Sequence, residues 1–211
     1  MYTPEHYKMK DHEEIFEFIH KNSFAILITN NGGKINATHL PLLLRSGEGE
    51  QGYLYGHVAK ANEQWKDPDE EVLVIFSGAH KYISSSWYES NQSVPTWNYL
   101  SVHVYGKIKI LEDRESKLEI IKDVVKYFEG ENSLYNVDDL KPAYFEGLIR
   151  GIVGFKIEIG KIEGKKKISQ NHTEERQHRI ITELEKFNDG NSIQISEEMK
   201  KNIEMKHDAK K

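Results

Sequence analysis

The sequence predicts a mainly β chain with inserted helices (α+β), an antiparallel strand meander rolled into a barrel and followed by a C-terminal helical extension. Three observations predict it. Short runs rich in β-branched and aromatic residues recur between Gly, Asn and Pro turn signals. The loops between them are too short to carry the crossover that parallel strands require. After Gly164 the composition shifts towards charged, helix-forming residues.

The elements follow in order. Asp11 and Glu14 stand as a capping box ahead of the helical stripe Ile15, Phe16, Phe18 and Ile19, which runs to Asn22. Phe24–Thr29 is a short apolar strand, and Asn30-Asn31-Gly32-Gly33 is a strong hairpin turn. Ile35–Leu44 resumes as a strand in which Pro41 marks an edge or bulge. Glycines 47, 49 and 52 punctuate a loop before the strand Gly52–Val58. A short helix is expected over Ala61–Lys66, ended by Asp67-Pro68. The continuous apolar run within Glu71–Ser77 reads as a central strand buried on both sides. Tyr82–Tyr88 and Tyr99–Leu111 read as long strands, with Gly106 as a possible bulge in the second. Asp113 caps a helix to Glu129 whose inner face is Leu118, Ile121, Val125 and Phe128. A second helix fits Val137–Ile149, and Ile152–Ile162 is the last strand. About six or seven antiparallel strands with two inserted helices make a decorated barrel. The expected division is a barrel domain over 1–163 and an extension over 164–211, the latter being one helix, Thr173–Phe187, and a flexible charged tail.

Composition narrows the function. The 211 residues contain no Cys, which excludes disulfides, iron–sulfur clusters, thiolate zinc and a Cys nucleophile. No apolar run is long enough to span a bilayer, and Met1–Lys10 lacks the layout of a signal peptide, so a cytoplasmic protein with no membrane contact is expected. Net charge is −5, from 29 Lys+Arg against 34 Asp+Glu. That balance is unlike a protein gripping nucleic acid over its whole surface; the local basic run Lys161–Lys167 is the best candidate for a DNA contact or a solvated tail.

Walker A and nucleophile-elbow motifs are absent. The ten histidines form no H-E-x-x-H pair, so no metal site is expected, and no catalytic residue is assigned. His39, His57, His80 and His103 are scattered over strands, and each alone reads as structural. A phosphorylated flat ligand would need a cation with nearby donors for its phosphate, and apolar walls with edge donors for its ring. Lys60 and Asn62, where a strand hands over to the next turn, suit the first need. Trp87, Tyr88, Trp97 and Tyr99, with Thr38, Ser84 and Asn98, suit the second, although core filling explains the same aromatics.

Five segments together carry a more specific signal: Thr38-His39-Leu40-Pro41, Gly56-His57-Val58-Ala59-Lys60-Ala61-Asn62, Gly78–Tyr88, Val94-Pro95-Thr96-Trp97-Asn98-Tyr99 with Val102-His103, and Lys167-Ile168-Ser169-Gln170-Asn171. In order and spacing the chain resembles the PaiB family of FMN-binding negative transcriptional regulators from about Met1 to Arg179. One departure is Ser85, where such sequences often carry proline. The resemblance implies an FMN-binding split β-barrel, with FMN held between the subunits of a homodimer. It implies Lys60 and Asn62 on the phosphate side, Thr38 and His39 on the ring side, and His57 and Ser84 among the cofactor contacts. It implies Trp97 and Asn98 lining the site, closed by Lys167, Ser169, Gln170 and Asn171. It also implies repression of extracellular protease and sporulation genes, direct or indirect, though no helix-turn-helix is visible for reading DNA. An FMN-dependent oxidoreductase and a haem-binding or haem-degrading split barrel are the alternatives.

Overall fold

The structure, a computed structural model, describes residues 1–66, 68, 71–90 and 92–208. The described strands are β1 (Lys8–Met9), β2 (Phe24–Asn31), β3 (Lys34–Pro41), β4 (Leu43–Arg45), β5 (Tyr53–Ala59), β6 (Glu71–Ile83), β7 (Thr96–Leu111) and β8 (Ile152–Lys167). The helices are α1 (His12–Lys21), α2 (Arg114–Glu129), α3 (Pro142–Arg150), α4 (Glu174–Leu184) and α5 (Gly190–Asp208). Hydrogen-bonded neighbours run β3-β2-β6-β7-β8-β5-β4, and β1 joins β8. The path ends on β3 and β4, so the sheet is not closed into a ring.

The chain forms two compact units, and their borders differ from the expected one near residue 163. One holds Phe16–Phe76 and His103–Ile162, and it carries most of the sheet. Its β2–β3 hairpin closes at Asn31↔Lys34, with Gly32 and Gly33 at φ 62° and 93°. Two successive positive φ values are what a tight turn matched to strand twist demands, and glycine supplies them without strain. The expected strand Ile35–Leu44 is broken at Pro41: β3 ends there and β4 begins at Leu43, pairing with β5. Because β3 is an edge strand, the missing Pro41 N–H leaves no ladder position empty.

β6 is central, between β2 and β7, but it is not buried on both sides. Val72, Val74 and Phe76 are fully buried, while Leu73 and Ile75 are only partly so. Gly106 is no bulge. A Cβ there would lie 2.2 Å from the Glu158 carbonyl oxygen, so glycine permits close approach of β8.

Asp113 does cap α2, its Oδ1 accepting from Ser116 N at 2.7 Å. The inner face is rotated from the expected one: Ile120 is buried, whereas Phe128 is 55% exposed. The expected helix Val137–Ile149 is broken into a 3₁₀ turn, Val137–Asp139, and α3. Pro142 explains the break, since it disfavours helical geometry in the residue before it while fitting the first helical turn.

The second unit holds Met1–Ile15, Ser77–Val102 and Glu163–Lys211. β6 continues to Ile83, and Tyr82–Tyr88 is not a strand, because Ser85–Trp87 forms a 3₁₀ turn. β8 likewise continues past Ile162 to Lys167. Beyond it, the expectation of one helix and a flexible tail is corrected: α4 is followed by α5, which runs to Asp208. Ile195, Met199 and Ile203 recur every four residues and are buried, as are Ile180, Ile181 and Leu184 of α4. A stripe one residue wide suffices when it faces a second helix. Residues 209–211 of the expected tail, and Asp67 at the end of the expected helix Ala61–Lys66, lie outside the described residues. Among the described residues no helix is long and apolar enough to cross a membrane.

Candidate functional site

The predicted residues fall into two groups, one in each unit. In the sheet-rich unit the chain leaves β5 at Ala59 and turns. Instead of the expected helix there is one 3₁₀ turn, Glu63–Trp65. Asn62 caps it, its Oδ1 accepting from Gln64 N at 2.9 Å. Its Nδ2 donates to Thr38 Oγ1 at 2.9 Å, and the Thr38 hydroxyl donates to Gln64 Oε1 at 2.5 Å. Gln64 Nε2 in turn donates to Leu27 O at 2.9 Å, tying the turn to β2. Thr38 and Asn62 are therefore brought together, as expected, but their polar atoms are engaged in holding the turn on the hairpin. Gln64 is only 4% exposed and is the residue that sequence reading missed. The signal available was an uncharged polar side chain beside Asn62 in a surface-like stretch.

Lys60 is exposed, and among the described residues its ammonium pairs with no carboxylate. Its backbone N–H donates to Gly151 O at 2.8 Å, which fixes the base of the side chain. His39 is exposed on β3 and its ring lies 6.1 Å from that of Phe24. His57 faces Gly154 across the β5–β8 ladder. Among the described residues its buried Nδ1 has no hydrogen-bond partner, and burial holds its pKa below the ordinary histidine value.

In the other unit, Lys167 Nζ donates to Trp97 O at 2.7 Å and to Thr96 Oγ1. Burial, followed by the Lys165 charge, holds its pKa below the ordinary lysine value. Ser169 Oγ donates to Asn98 Oδ1 at 3.1 Å, and Tyr7 OH to Asn171 Oδ1 at 3.0 Å. Ser169 sits at φ 62°, a left-handed conformation uncommon for a residue with a side chain. These residues, with Tyr88 and His172, line a cavity of about 160 Å³. A second cavity, about 310 Å³, lies against His80, Trp97 and Tyr99. Trp97 is 52% exposed, its ring 5.9 Å from Tyr82 and 6.2 Å from His80.

Two predicted residues stand apart from these cavities. Ser84 caps the Ser85–Trp87 turn, its Oγ accepting from Ser86 N at 3.2 Å. That turn forms with Ser85 in the place of proline. Gln170 is spent internally: Oε1 accepts from Ile168 N at 2.8 Å, and Nε2 donates to His6 O at 3.0 Å and Lys166 O at 2.6 Å.

The basic run is not a solvated tail, because it lies on β8. Lys165 is buried and donates to Tyr2 O at 3.0 Å. Burial opposes the charge of Lys166, but ion pairs with Glu14 and Glu198 outweigh it and raise its pKa.

The described residues thus offer an unpaired surface lysine beside a braced turn and, separately, polar and aromatic cavities. That chemistry fits a phosphorylated, flat, polar-edged ligand. Residues 1–161 match the family model described as "Putative FMN-binding domain". The chain belongs to this FMN-binding family. FMN is the family's cofactor; a buried His57 Nδ1 and a Lys60 ammonium that have no partner among the described residues are compatible with such a group. The chain is 41% identical over 201 residues to the protease synthase and sporulation protein PAI 2 of Bacillus subtilis, covering 94% of this chain and 96% of that one. It is 31% identical to an uncharacterized Emericella nidulans protein, over 64% of this chain and 69% of the relative. Among solved structures it resembles the flavocytochrome Anf3 of Azotobacter vinelandii, with TM-score 0.58 and 15% identity over 76% of this chain and 69% of that one. It also resembles a FAD- and haem-binding protein of Mycobacterium smegmatis, with TM-score 0.56 and 11% identity over 76% and 73% of the two chains. The likeness to these two structures is one of fold, the split barrel, here with an open eight-stranded sheet.

Proposed function

We propose that the protein is an FMN-binding regulator of the PAI 2 type, which lowers expression of extracellular protease and sporulation genes indirectly, as a cytoplasmic homodimer. The observation that carries this reading is the 41% identity to PAI 2 along nearly the full length of both chains. An indirect route is favoured because Lys165 and Lys166 are committed to contacts within their own unit and Lys167 is half-buried against a small cavity, leaving little of the basic run to grip a phosphate backbone.

Lys60 holds the FMN phosphate in this reading. Among the described residues its charge is unpaired, it sits at the mouth of the turn braced by Asn62 and Gln64, and an Nζ–phosphate contact would be charge-assisted. His39 and Thr38 on β3 meet the flavin edge. Thr38 and Asn62 act mainly by positioning, since their polar atoms already bond one another. The flavin, when bound, supplies electron transfer; the chain supplies position and electrostatics. The exposed Trp97 and Tyr82 form the apolar surface that a second copy covers.

The absorption spectrum and solution mass of the purified protein test this reading together. Flavin bands and a mass twice that of one chain are expected. A colourless protein that takes up no added FMN overturns the reading. Promoter DNA should not shift even at low salt, and a steeply salt-dependent shift would replace the indirect route by a direct one.

A further inference from the structure

The cavity beside Lys167 is built as an anion receptor. Tyr7, Tyr88, Thr96, Asn98, Lys167 and His172 contribute to its wall, and no Asp or Glu does. The Lys167 ammonium has three N–H donors. Two are directed at Thr96 Oγ1 and Trp97 O, and the third has no acceptor among the described residues. Both acceptors are neutral, so among the described residues the half-buried charge has no counter-ion. Tyr88 is 8% exposed, and its hydroxyl is buried with no hydrogen-bond partner among the described residues.

A half-buried charge without a counter-ion and an orphaned buried hydroxyl each cost free energy, and both border the same small polar space. Glu89 does not relieve them. It is claimed by Arg176, whose Nε lies 3.0 Å from both carboxylate oxygens, and this pairing lowers the Glu89 pKa to about 2. The wall beside Lys167 is also fixed. Asn98 is fully buried and held by Ser169, whose left-handed backbone turns β8 into the loop that carries Asn171 and His172. His172 N donates to Ser169 O at 3.0 Å, closing that loop.

We propose that this cavity is a binding site for the oxyanion group, carboxylate or phosphate, of a small molecule, with Lys167 as its counter-charge and the Tyr88 hydroxyl as its second donor. A volume of about 160 Å³ admits such a group with a few attached heavy atoms, not a whole nucleotide. The site is argued from its own residues and does not rest on the assignment of FMN to Lys60. It gives the protein a place to sense a small acid or a phosphorylated metabolite.

The test titrates the FMN-loaded protein with inorganic phosphate and, separately, with acetate, followed by calorimetry. Saturable binding of one anion per chain is expected. Lys167→Gln should weaken it at least about tenfold, and Tyr88→Phe about three- to tenfold, as expected for removing a charged and a neutral hydrogen bond. Near-ultraviolet circular dichroism matching the parent protein shows that the variants are folded, and Lys167→Arg should recover part of the affinity. Retention of FMN by Lys167→Gln identifies the anion as part of a separate small molecule. Loss of FMN from it, with phosphate competing against FMN in the parent protein, overturns the proposal of a site for a separate small molecule. Absence of saturable anion binding, or binding equally strong in folded Lys167→Gln, overturns the proposal whether or not the protein carries flavin.

Discussion

Gln64 holds the turn that presents Lys60, and replacing it measures how far that turn depends on one buried amide. Gln64→Ala removes the donor to Leu27 O at 2.9 Å and the acceptor of the Thr38 hydroxyl at 2.5 Å. Two intramolecular hydrogen bonds contribute about 0.5–1.5 kcal/mol each, and deleting a buried methylene adds about 0.8 kcal/mol before any cavity term. The total is about 2–4 kcal/mol. Urea unfolding followed by circular dichroism reads it as a lower midpoint at constant slope. Gln64→Glu sharpens the test, because it preserves shape. At neutral pH the carboxylate cannot donate to Leu27 O, and its charge would be buried, so this variant should be less stable than Gln64→Ala. It should recover towards acid pH as the carboxyl gains its proton and donates again. The FMN affinity of Gln64→Ala should fall less than that of a Lys60 variant, because the cation is retained but loosely aimed. A stability change below about 0.5 kcal/mol for Gln64→Ala, or a Gln64→Glu as stable as the parent at neutral pH, would refute the bracing role.

Lys60→Ala should raise the FMN dissociation constant about ten- to a hundredfold, the range for one charge-assisted hydrogen bond, and blunt its salt dependence; unchanged flavin-fluorescence titrations would remove Lys60 from the site. Gly106→Ala should destabilise the fold by about 3 kcal/mol or prevent folding, because its Cβ would lie 2.2 Å from a backbone oxygen that can move only with β8; an unaltered melting temperature would contradict the close approach. His57 and His172 both have pKa values lowered from 6.5 by burial, so the unfolded chain takes up their protons first. Their stabilising contribution is full above about pH 6.5 and is lost as pH falls through the lower folded-state values; His57→Gln should flatten that acid limb in pH-dependent unfolding, and an unchanged limb would assign it elsewhere.

What the sequence made legible follows the range over which each signal acts. Asn30–Gly33 was readable as a hairpin because its backbone demands are local, and Asp113 as a cap because its partner, Ser116 N, lies three residues on. Periodicity was readable in α4 but weak in α5, where Ile195, Met199 and Ile203 supply one apolar residue per turn and only a facing helix makes that enough. Gly106 illustrates the opposite limit. Nothing within its own strand distinguishes a bulge from close approach, since the decisive atom is the carbonyl of Glu158 on another strand.

The site residues divide along the same line. Lys60, Asn62 and Thr38 were found through residue type and resemblance, yet type could not separate a group offered to a ligand from one spent on the fold. Free donors do so, and they depend on long-range partners. Asn62 and Thr38 consume each other's polar atoms, whereas Lys60 keeps its charge. Three successive lysines show how little local sequence decides: Lys165 donates to a carbonyl, Lys166 is neutralised by two glutamates, and Lys167 keeps one donor over a cavity without carboxylates. Strand alternation contributes, because it turns neighbouring side chains to opposite faces. A run of like charges can therefore hold a structural contact, a buried ion pair and a ligand-directed cation side by side.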